Sequence, residues 1–219
     1  MFTHVIFDLD GTLLDTLEDL ADATNWVCQQ QGWPVHTVEA YKQFIGNGAA
    51  KLVERVVPAG VELTPELHAQ LLDQFTTRYS AHKEDKTTFY PGIPQMLEAV
   101  KRAGIPMGVL TNKPHGAAAP IVEKYFPEMF QTVQGSLPEL PTKPNPALLL
   151  EMMERMGAKK ETTLFVGDSN VDIQTAKNGG VSSCGVLWGF RSREELEGEG
   201  ADVLVQNASE LTAVILGTP

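Results

Sequence analysis

A short apolar run that ends in two aspartates constrains the fold of this chain more than any other stretch: HVIFDLDGTLLDT, residues 4–16. Three consecutive apolar residues, 5–7, are typical of a strand that is buried on both faces of a parallel sheet. Asp8 and Asp10 follow at alternate positions, so we expect both carboxylates to face one small volume. Because like charges repel, the stretch predicts a sheet strand with a cation between the two aspartates at its end.

Two kinds of apolar spacing follow this stretch. From residue 16 to about residue 85 the spacing is helical, and it predicts three helical segments without a convincing strand. From Phe89 onward, predicted helices that end at glycines such as Gly104 and Gly157 alternate with short apolar strands. Strands that alternate with helices are typical of a doubly wound parallel sheet.

This change of spacing also predicts the domain organisation. We expect an α/β protein whose core is a doubly wound, Rossmann-like parallel sheet, with an inserted all-helical cap domain. The core is discontinuous and comprises residues 1–15 and 86–219, and the cap comprises residues 16–85. At 219 residues, the chain is long enough for one core plus such an insert.

Charge and cysteine content narrow the classes of partner and compartment. The chain has 17 basic and 28 acidic residues, so neither nucleic acid nor an anionic membrane is expected as a partner. Cys28 and Cys184 form no CxxC pair, which indicates neither a disulfide framework nor a zinc site. The N-terminus shows no secretion signal, and no apolar run is long enough to cross a bilayer. We expect a cytoplasmic monomer or homodimer that acts on a small molecule.

Polar residues follow the predicted strands at the edge where open α/β sheets bind ligands, beyond the carboxyl ends of the strands. The first strand is followed by Asp8, Asp10 and Thr12. The strand IPMGVLT ends in Thr111 and is followed by Asn112 and Lys113. The strand TLFVGD ends in Asp168, Asp172 lies one helical turn later, and Lys143 precedes a predicted helix. The sequence therefore predicts acids, a hydroxyl and cations together at one edge of the sheet.

This set meets the needs of phosphoryl transfer: a nucleophile, an acid for the leaving group, and groups that neutralise the phosphate oxygens. Asp8 is the candidate nucleophile, because a carboxylate can form an aspartyl-phosphate intermediate. Asp10 is the candidate general acid and, afterwards, the base that activates water. Thr111, the backbone of Asn112 and Lys143 are candidate phosphate ligands.

A hard cation completes the expected set. Mg²⁺ prefers oxygen ligands and retains several waters, so Asp8 and Asp168 with a backbone carbonyl near Asp10 form a candidate Mg²⁺ site. Asp172 is expected to belong to the same metal site and to orient Asp168 from just outside the ring of direct ligands. Thr12, in the loop after Asp10, is a candidate substrate-binding residue.

Four motifs in this order resemble those of the haloacid dehalogenase superfamily of phosphohydrolases: DLDGT, LTNK, the lysine of PTKPNP, and GDSNVD. The resemblance covers nearly the whole chain and implies Mg²⁺-dependent hydrolysis of a phosphate ester. It implies Asp8 as nucleophile, Asp10 as acid and base, Thr111 and Lys143 as phosphate ligands, and Asp8, the Asp10 carbonyl and Asp168 as Mg²⁺ ligands. The true dehalogenases lack the second aspartate, so Asp10 favours phosphate esters over carbon–halogen bonds.

The predicted cap bears on the choice of substrate. The helical insert resembles the cap of the subgroup that includes the phosphoglycolate phosphatases, and residues 44–55, FIGNGAAKLVER, resemble its specificity loop. Gly46, Asn47 and Gly48 would bring amides close to a small substrate, and either Lys51 or Arg55 would bind a carboxylate. The resemblance therefore implies 2-phosphoglycolate as the substrate.

Each candidate residue also has a purely structural interpretation. Asp8 and Asp10 could form an Asp-Gly turn, Thr111 could be a helix N-cap, Lys143 could be a solvated loop charge, Asp168 and Asp172 could be helix-start acids, and residues 46–48 could be a helix C-cap and turn. Their occurrence together in one chain favours the catalytic interpretation.

Three other functions remain open from the sequence. The chain could be another small-molecule phosphatase or a sugar phosphomutase similar to β-phosphoglucomutase, although those mutases usually carry serine-rich sequence where this chain has TNK. It could also be a phospho-accepting signalling module of the receiver type. Such a module keeps its phosphate, whereas Asp10 can activate water to release it. Such a module is also much shorter than this chain and needs no lid, so Asp10 and the large cap favour the enzyme.

Overall fold

The computed structural model describes residues 2–218. Its strands are β1 (His4–Phe7), β2 (Leu14–Asp15), β3 (Thr88–Phe89), β4 (Met107–Pro114), β5 (Thr132–Ser136), β6 (Thr163–Gly167), β7 (Ser182–Val186) and β8 (Val203–Val205). Its helices are α1 (Leu17–Gln30), α2 (Val38–Phe44), α3 (Ala49–Arg55), α4 (Pro65–His82), α5 (Ile93–Arg102), α6 (His115–Tyr125), α7 (Ala147–Met156), α8 (Asn170–Gly179), α9 (Arg193–Gly198) and α10 (Ala208–Leu216).

Six of these strands form one sheet in the order β5-β4-β1-β6-β7-β8. All neighbouring strands in it are parallel. β1 lies in the interior, where Val5 is paired with Met107 of β4 on one side and with Leu164 of β6 on the other. Because the chain adds strands on both sides of β1, the sheet confirms the predicted doubly wound α/β fold.

The apolar run of β1 packs on both faces of this sheet. Val5 and Phe7 belong to a core cluster that includes residues of α5, α6 and α10. Ile6 belongs to a second cluster, with residues of α7 and α8. All three side chains are fully buried. A strand covered on both faces needs an apolar residue at every position, which explains why the run is continuous rather than alternating.

A second compact unit spans Asp15–Thr88 and contains α1 to α4. Its buried side chains include Tyr41, Leu71 and Phe75, and the ring of Phe75 stacks on Tyr79 with the ring centroids 5.5 Å apart. The first unit comprises the remaining residues, which form the six-stranded sheet and its helices. Among residues 2–218, the helices lack the combination of length and apolar composition that crossing a bilayer requires.

Helix α2 corrects the prediction of three helical segments in this second unit. It is only seven residues long, so its apolar residues Val38, Tyr41 and Phe44 span too few turns to establish a helical period. Thr37 caps the helix by accepting a hydrogen bond from the backbone of Ala40. The Tyr41 hydroxyl donates to Asn25 Oδ1 at 2.8 Å, which ties α2 to α1.

The strands differ from the prediction in two places. The two-residue strands β2 and β3, which are not predicted, form a small separate sheet at residues 14–15 and 88–89, outside the segment 16–85 that is predicted to lack a strand. Strand β4 continues beyond Thr111, where the predicted strand IPMGVLT ends, to Pro114. Its pairing with β5 shifts register between Leu110 and Pro114. Such irregularities re-aim side chains at the end of a strand, and Thr111 and Lys113 lie within this one.

Candidate active site

The chain turns sharply after β1 and brings Asp8 and Asp10 to the edge of the sheet. The backbone amide of Asp8 donates to Val166 of β6 at 2.8 Å, so Asp8 still continues the sheet. The turn needs Gly11, whose φ is 85° and at which a Cβ atom would overlap the carboxylate of Asp168. The glycine therefore allows the loop after β1 to lie directly against the end of β6.

Each of the two aspartates is paired with its own lysine. Lys143 Nζ lies 2.9 Å from Asp8 Oδ1 and 2.6 Å from Asp172 Oδ1. Lys113 Nζ lies 2.9 Å from Asp10 Oδ1 and 3.1 Å from Asp10 Oδ2. Each of the two carboxylates is therefore partly neutralised by an ammonium group of its own.

Asn112 fixes the position of Lys143. Its side-chain amide donates to the Lys143 carbonyl at 3.0 Å and accepts from the Lys143 amide at 2.9 Å. The Lys143 side chain is 2% exposed, so its interpretation as a solvated loop charge is wrong. The Asn112 side chain is thus engaged by the lysine loop, whereas the sequence assigned the Asn112 backbone to phosphate.

Asp168, at the end of β6, is held on both carboxylate oxygens. Oδ1 accepts a hydrogen bond from the Thr12 hydroxyl at 3.0 Å, and Oδ2 accepts one from the backbone amide of Phe190 at 2.8 Å. Gly189 lies so close that a Cβ atom there would overlap Asp168. The Thr12 hydroxyl, which the sequence assigned to substrate, donates to Asp168.

Asp172 is completely buried at the start of α8. Its Oδ2 accepts hydrogen bonds from the amide and the hydroxyl of Ser169, at 3.0 and 2.6 Å, while its Oδ1 pairs with Lys143. Asp172 thus forms a capping box with Ser169, as the helix-start interpretation of this acid expects, and also holds a lysine. These contacts of Asp172 orient Lys143 and Ser169, whereas the sequence assigned Asp172 to the orientation of Asp168.

Thr111 lies at the end of β4 and is 3% exposed. Its hydroxyl accepts a hydrogen bond from the backbone amide of Lys113 at 3.2 Å. The following helix α6 begins at His115, after Pro114, so the interpretation of Thr111 as its N-cap is wrong.

Excess negative charge characterises the cluster of Asp8, Asp168 and Asp172, in which one ligand oxygen from each residue lies within 4.8 Å of the others. Burial raises the pKa of Asp8 to about 7, although the charge of Lys143 opposes the shift. Burial, followed by the charges of Asp172 and Asp8, raises the pKa of Asp168 well above its ordinary value. Burial disfavours the charge on Lys143, but the carboxylates of Asp172 and Asp8 outweigh it and raise the pKa of the ammonium.

These carboxylates fit a hard divalent cation. They supply only oxygen ligands, as Mg²⁺ prefers, and a cation would offset the charge that one lysine leaves uncompensated. Asp8 Oδ1 is buried and accepts no well-aligned hydrogen bond, although Lys143 Nζ is 2.9 Å away. A buried carboxylate oxygen without a hydrogen bond is costly unless a ligand completes its coordination.

The candidate residues of the cap loop lie together in the second unit. Arg55 donates to Asn47 Oδ1 at 2.7 Å and to the carbonyl of Phe44 at 2.7 Å. Gly46 and Gly48 have φ values of 119° and 85°, which favour glycine. Gly46 directly follows Ile45, the C-cap residue of α2, and Gly48 directly precedes α3, so residues 46–48 connect the two helices.

Sequence reasoning placed Lys113 at this edge of the sheet without giving it a chemical role, and it did not single out Ser169, Gly189 or Phe190. Lys113 follows Thr111 by two positions, so strand alternation was a usable signal for placing it on the same side. Ser169 has a signal too, because serine three residues before an acid is a capping-box pattern. Phe190 contributes a backbone amide, which its residue type does not reveal.

Comparisons with known proteins identify the family of this chain. Residues 5–186 match the model of the family described as haloacid dehalogenase-like hydrolase. The phosphoglycolate phosphatase of Vibrio parahaemolyticus is 34% identical over 218 residues, which cover 96% of this chain and 95% of that protein. The phosphoglycolate phosphatase of Pseudomonas putida is 33% identical over 213 residues, covering 94% of this chain and 77% of that protein.

A solved structure extends the likeness to the whole fold. The crystal structure of a protein from Lactobacillus delbrueckii subsp. bulgaricus superposes with a TM-score of 0.91 and 33% sequence identity, and covers 99% of both chains. The family model includes Asp8, Asp10, Thr111, Lys143 and Asp168 within its matched range. The chain belongs to the haloacid dehalogenase-like hydrolase family.

Proposed function

We propose that this protein is a Mg²⁺-dependent phosphatase that hydrolyses a small phosphate monoester through a phosphoryl group carried on Asp8. The observation that carries the proposal is the pairing of the buried Asp8 carboxylate with Lys143, beside Asp168 and near enough to Asp10 to feel its charge. A carboxylate next to an ammonium and a cation site can approach a phosphate dianion without prohibitive repulsion. The family and its named relatives support the same chemistry.

In the first step, a carboxylate oxygen of Asp8 attacks the phosphorus atom. A bond forms between that oxygen and phosphorus, and the bond from phosphorus to the ester oxygen breaks. Asp10, as the carboxylic acid, gives its proton to the departing oxygen, which leaves as an alcohol. Thr111 and Lys143 hydrogen-bond the phosphoryl oxygens, whose charge the ammonium of Lys143 partly balances.

In the second step, Asp10 acts as a base. It takes a proton from water, whose oxygen attacks phosphorus and displaces the carboxylate of Asp8. Inorganic phosphate leaves, and both aspartates return to their starting states. Asp8, Asp168 and the carbonyl of Asp10 would hold Mg²⁺, which when bound supplies charge stabilisation to the phosphoryl oxygens.

We propose 2-phosphoglycolate as the substrate. The relatives from Vibrio parahaemolyticus and Pseudomonas putida are both named phosphoglycolate phosphatase. In the helical unit, which we propose acts as the cap, Arg55 offers a guanidinium and residues 46–48 offer a glycine-rich backbone. A guanidinium recognises a small carboxylate through two parallel hydrogen bonds, which suits this substrate. Asn47 holds Arg55 in position for that role.

We also propose a cytoplasmic location, which the cysteines support. Cys28 and Cys184 are both free thiols and both buried. Free cysteines are typical of a reducing compartment.

Phosphate release from a panel of esters tests this function. The panel contains 2-phosphoglycolate, a sugar phosphate, a nucleotide, pyrophosphate and an aryl phosphate, each with Mg²⁺ and with a chelator. We expect turnover that requires Mg²⁺ and is fastest on 2-phosphoglycolate. A different preference would overturn the substrate assignment alone, whereas no turnover of any ester would overturn the phosphatase.

A further inference from the structure

Lys113 forms a buried ion pair that the proposed mechanism does not use. Its side chain is 3% exposed, and the side chain of its partner Asp10 is 13% exposed. The ammonium lies 2.9 Å from one oxygen of Asp10 and 3.1 Å from the other, so it contacts both. The two residues are 103 positions apart in the sequence. The contact therefore joins the end of β4 to the loop after β1.

Burial makes this pair different from a surface ion pair. A lysine ammonium removed from water is unfavourable unless a carboxylate compensates it, so the position of Lys113 depends on Asp10 and the position of Asp10 depends on Lys113. The Lys113 backbone is fixed too, because its amide donates to the Thr111 hydroxyl at 3.2 Å. Lys113 is thus anchored on a sheet strand and reaches Asp10, which lies in a loop.

We propose that Lys113 is a positioning residue that holds the carboxyl group of Asp10 in the orientation needed for proton transfer to the leaving group. The inference rests on the proposed role of Asp10 as the general acid. Each carboxyl oxygen has more than one acceptor site, so the carboxyl group can carry its proton on one site while another still accepts a hydrogen bond from the ammonium of Lys113. Loss of Lys113 would free the Asp10 carboxyl to rotate, and a misplaced general acid transfers its proton slowly.

The leaving group of the substrate separates this role from other roles of Lys113. An alkyl phosphate releases an alkoxide, which needs a proton, whereas an activated aryl phosphate releases a stable phenolate, which does not. Weaker neutralisation of the phosphoryl group would slow both esters, since the transferred group is the same. Misplacement of Asp10 slows the alkyl ester selectively. The ratio of kcat/KM for the two esters is also independent of the fraction of active enzyme in a sample.

The experiment measures this ratio for wild type, Lys113→Met, Lys113→Arg and Lys143→Met, with saturating Mg²⁺ and an alkyl ester that the wild type hydrolyses. We expect Lys113→Met to lower kcat/KM about 10- to 100-fold more on the alkyl ester than on the aryl ester. This difference is smaller than the full rate contribution of a general acid, because Asp10 is misplaced but still present. Lys113→Arg should restore part of the ratio. Lys143→Met is the matched control, because it removes a buried ammonium that contacts Asp8 and should slow both esters alike.

Asp10→Asn separates failure of this inference from failure of the proposed function. If Asp10 is the general acid, Asp10→Asn alone should shift the ratio in the same direction, and Lys113→Met added to it should shift the ratio no further. If Asp10→Asn leaves the ratio unchanged, the assigned role of Asp10 is overturned. If Asp10→Asn shifts the ratio but Lys113→Met slows both esters equally, or speeds them, the positioning role of Lys113 is overturned while the phosphatase stands.

Discussion

The candidate residues of the α/β unit and those of the helical unit differ in burial. In the α/β unit, the side chains of Lys113 and Lys143 are 3% and 2% exposed, and each is paired with a carboxylate. In the helical unit, Lys51 is 55% exposed and pairs with Glu54, which is 42% exposed. Arg55 is likewise exposed.

We propose that this difference reflects two separate roles, one in the chemical step and one in substrate selection. Buried ion pairs hold a single geometry, because breaking one leaves an uncompensated charge out of water, and chemistry at phosphorus needs such fixed positions. Exposed pairs rearrange at little cost, which suits contacts that select among substrates. We therefore expect substitutions in the α/β unit to affect all substrates, and substitutions in residues 46–55 to affect some substrates more than others.

The largest effect is expected for Asp8→Asn. An amide is a poor nucleophile, so turnover of every ester should fall by roughly 10⁴-fold or more. The fold should persist, because burial already raises the pKa of Asp8 to about 7 and the site therefore accepts a neutral side chain. Steady-state kinetics and circular dichroism test both statements. Substantial residual turnover in a pure sample would exclude Asp8 as the nucleophile.

Lys143→Ala should have the next largest effect. It removes a charge from the phosphoryl site and should lower kcat by roughly 10²- to 10³-fold on all esters. It also leaves Asp8 and Asp172 without their ammonium, which should destabilise the metal-free protein by about 3–5 kcal/mol in denaturant unfolding.

Arg193→Ala is the matched control for Lys143→Ala. Arg193 is paired with Glu197 at 3.1 Å, but the two side chains are 43% and 55% exposed. Removal of this pair should change neither activity nor unfolding measurably. Equal effects of the two substitutions would contradict the distinction between buried and exposed pairs.

Arg55→Ala tests the helical unit and should have a smaller, selective effect. It should raise KM for 2-phosphoglycolate about tenfold, the equivalent of one charge-assisted hydrogen bond, and leave an aryl phosphate without a carboxylate nearly unaffected. Lys51→Ala is its control, because Lys51 is paired with Glu54. A uniform loss on both esters after Arg55→Ala would remove this residue from substrate selection.

The final prediction concerns how the stability of the metal-free protein depends on pH. The folded protein holds a proton on Asp8, with a pKa of about 7 instead of 3.8, that the unfolded chain releases. The free energy of unfolding of the metal-free protein should therefore fall as pH rises from about 4 to about 7. The raised pKa of Asp168 acts in the same direction.

Thermal unfolding in chelator at several pH values checks this slope, and Asp8→Asn should flatten it. Mg²⁺ competes with protons for the carboxylates, so it should raise the unfolding temperature more at pH 8 than at pH 6. A slope that is the same in Asp8→Asn as in the wild type would assign the pH dependence to other groups.

The positions of the catalytic candidates can be predicted from the sequence, because they depend on local patterns. A buried strand followed by an acid is visible in residues 4–10 and again at TLFVGD, and parallel strands deliver their ends to one edge. The lysine partners are not visible in this way. Strand alternation places Lys113 on the same side as Thr111, but its pairing with Asp10 joins residues 103 positions apart, which no local pattern encodes. Helix α2 is missed because its seven residues span only two turns, which is too short for a sustained apolar period.

The most direct test of the central claim is to locate the phosphoryl group on the protein. Asp10→Asn should accept a phosphoryl group from an aryl phosphate in the presence of Mg²⁺, because that leaving group needs no proton, and should hydrolyse it slowly, because water lacks its base. Rapid quenching, borohydride reduction and mass spectrometry of the peptides identify a phosphorylated aspartate by its conversion to homoserine. We expect conversion at Asp8 and not at Asp168 or Asp172. Conversion at another aspartate, or none while phosphate is released, would contradict the account.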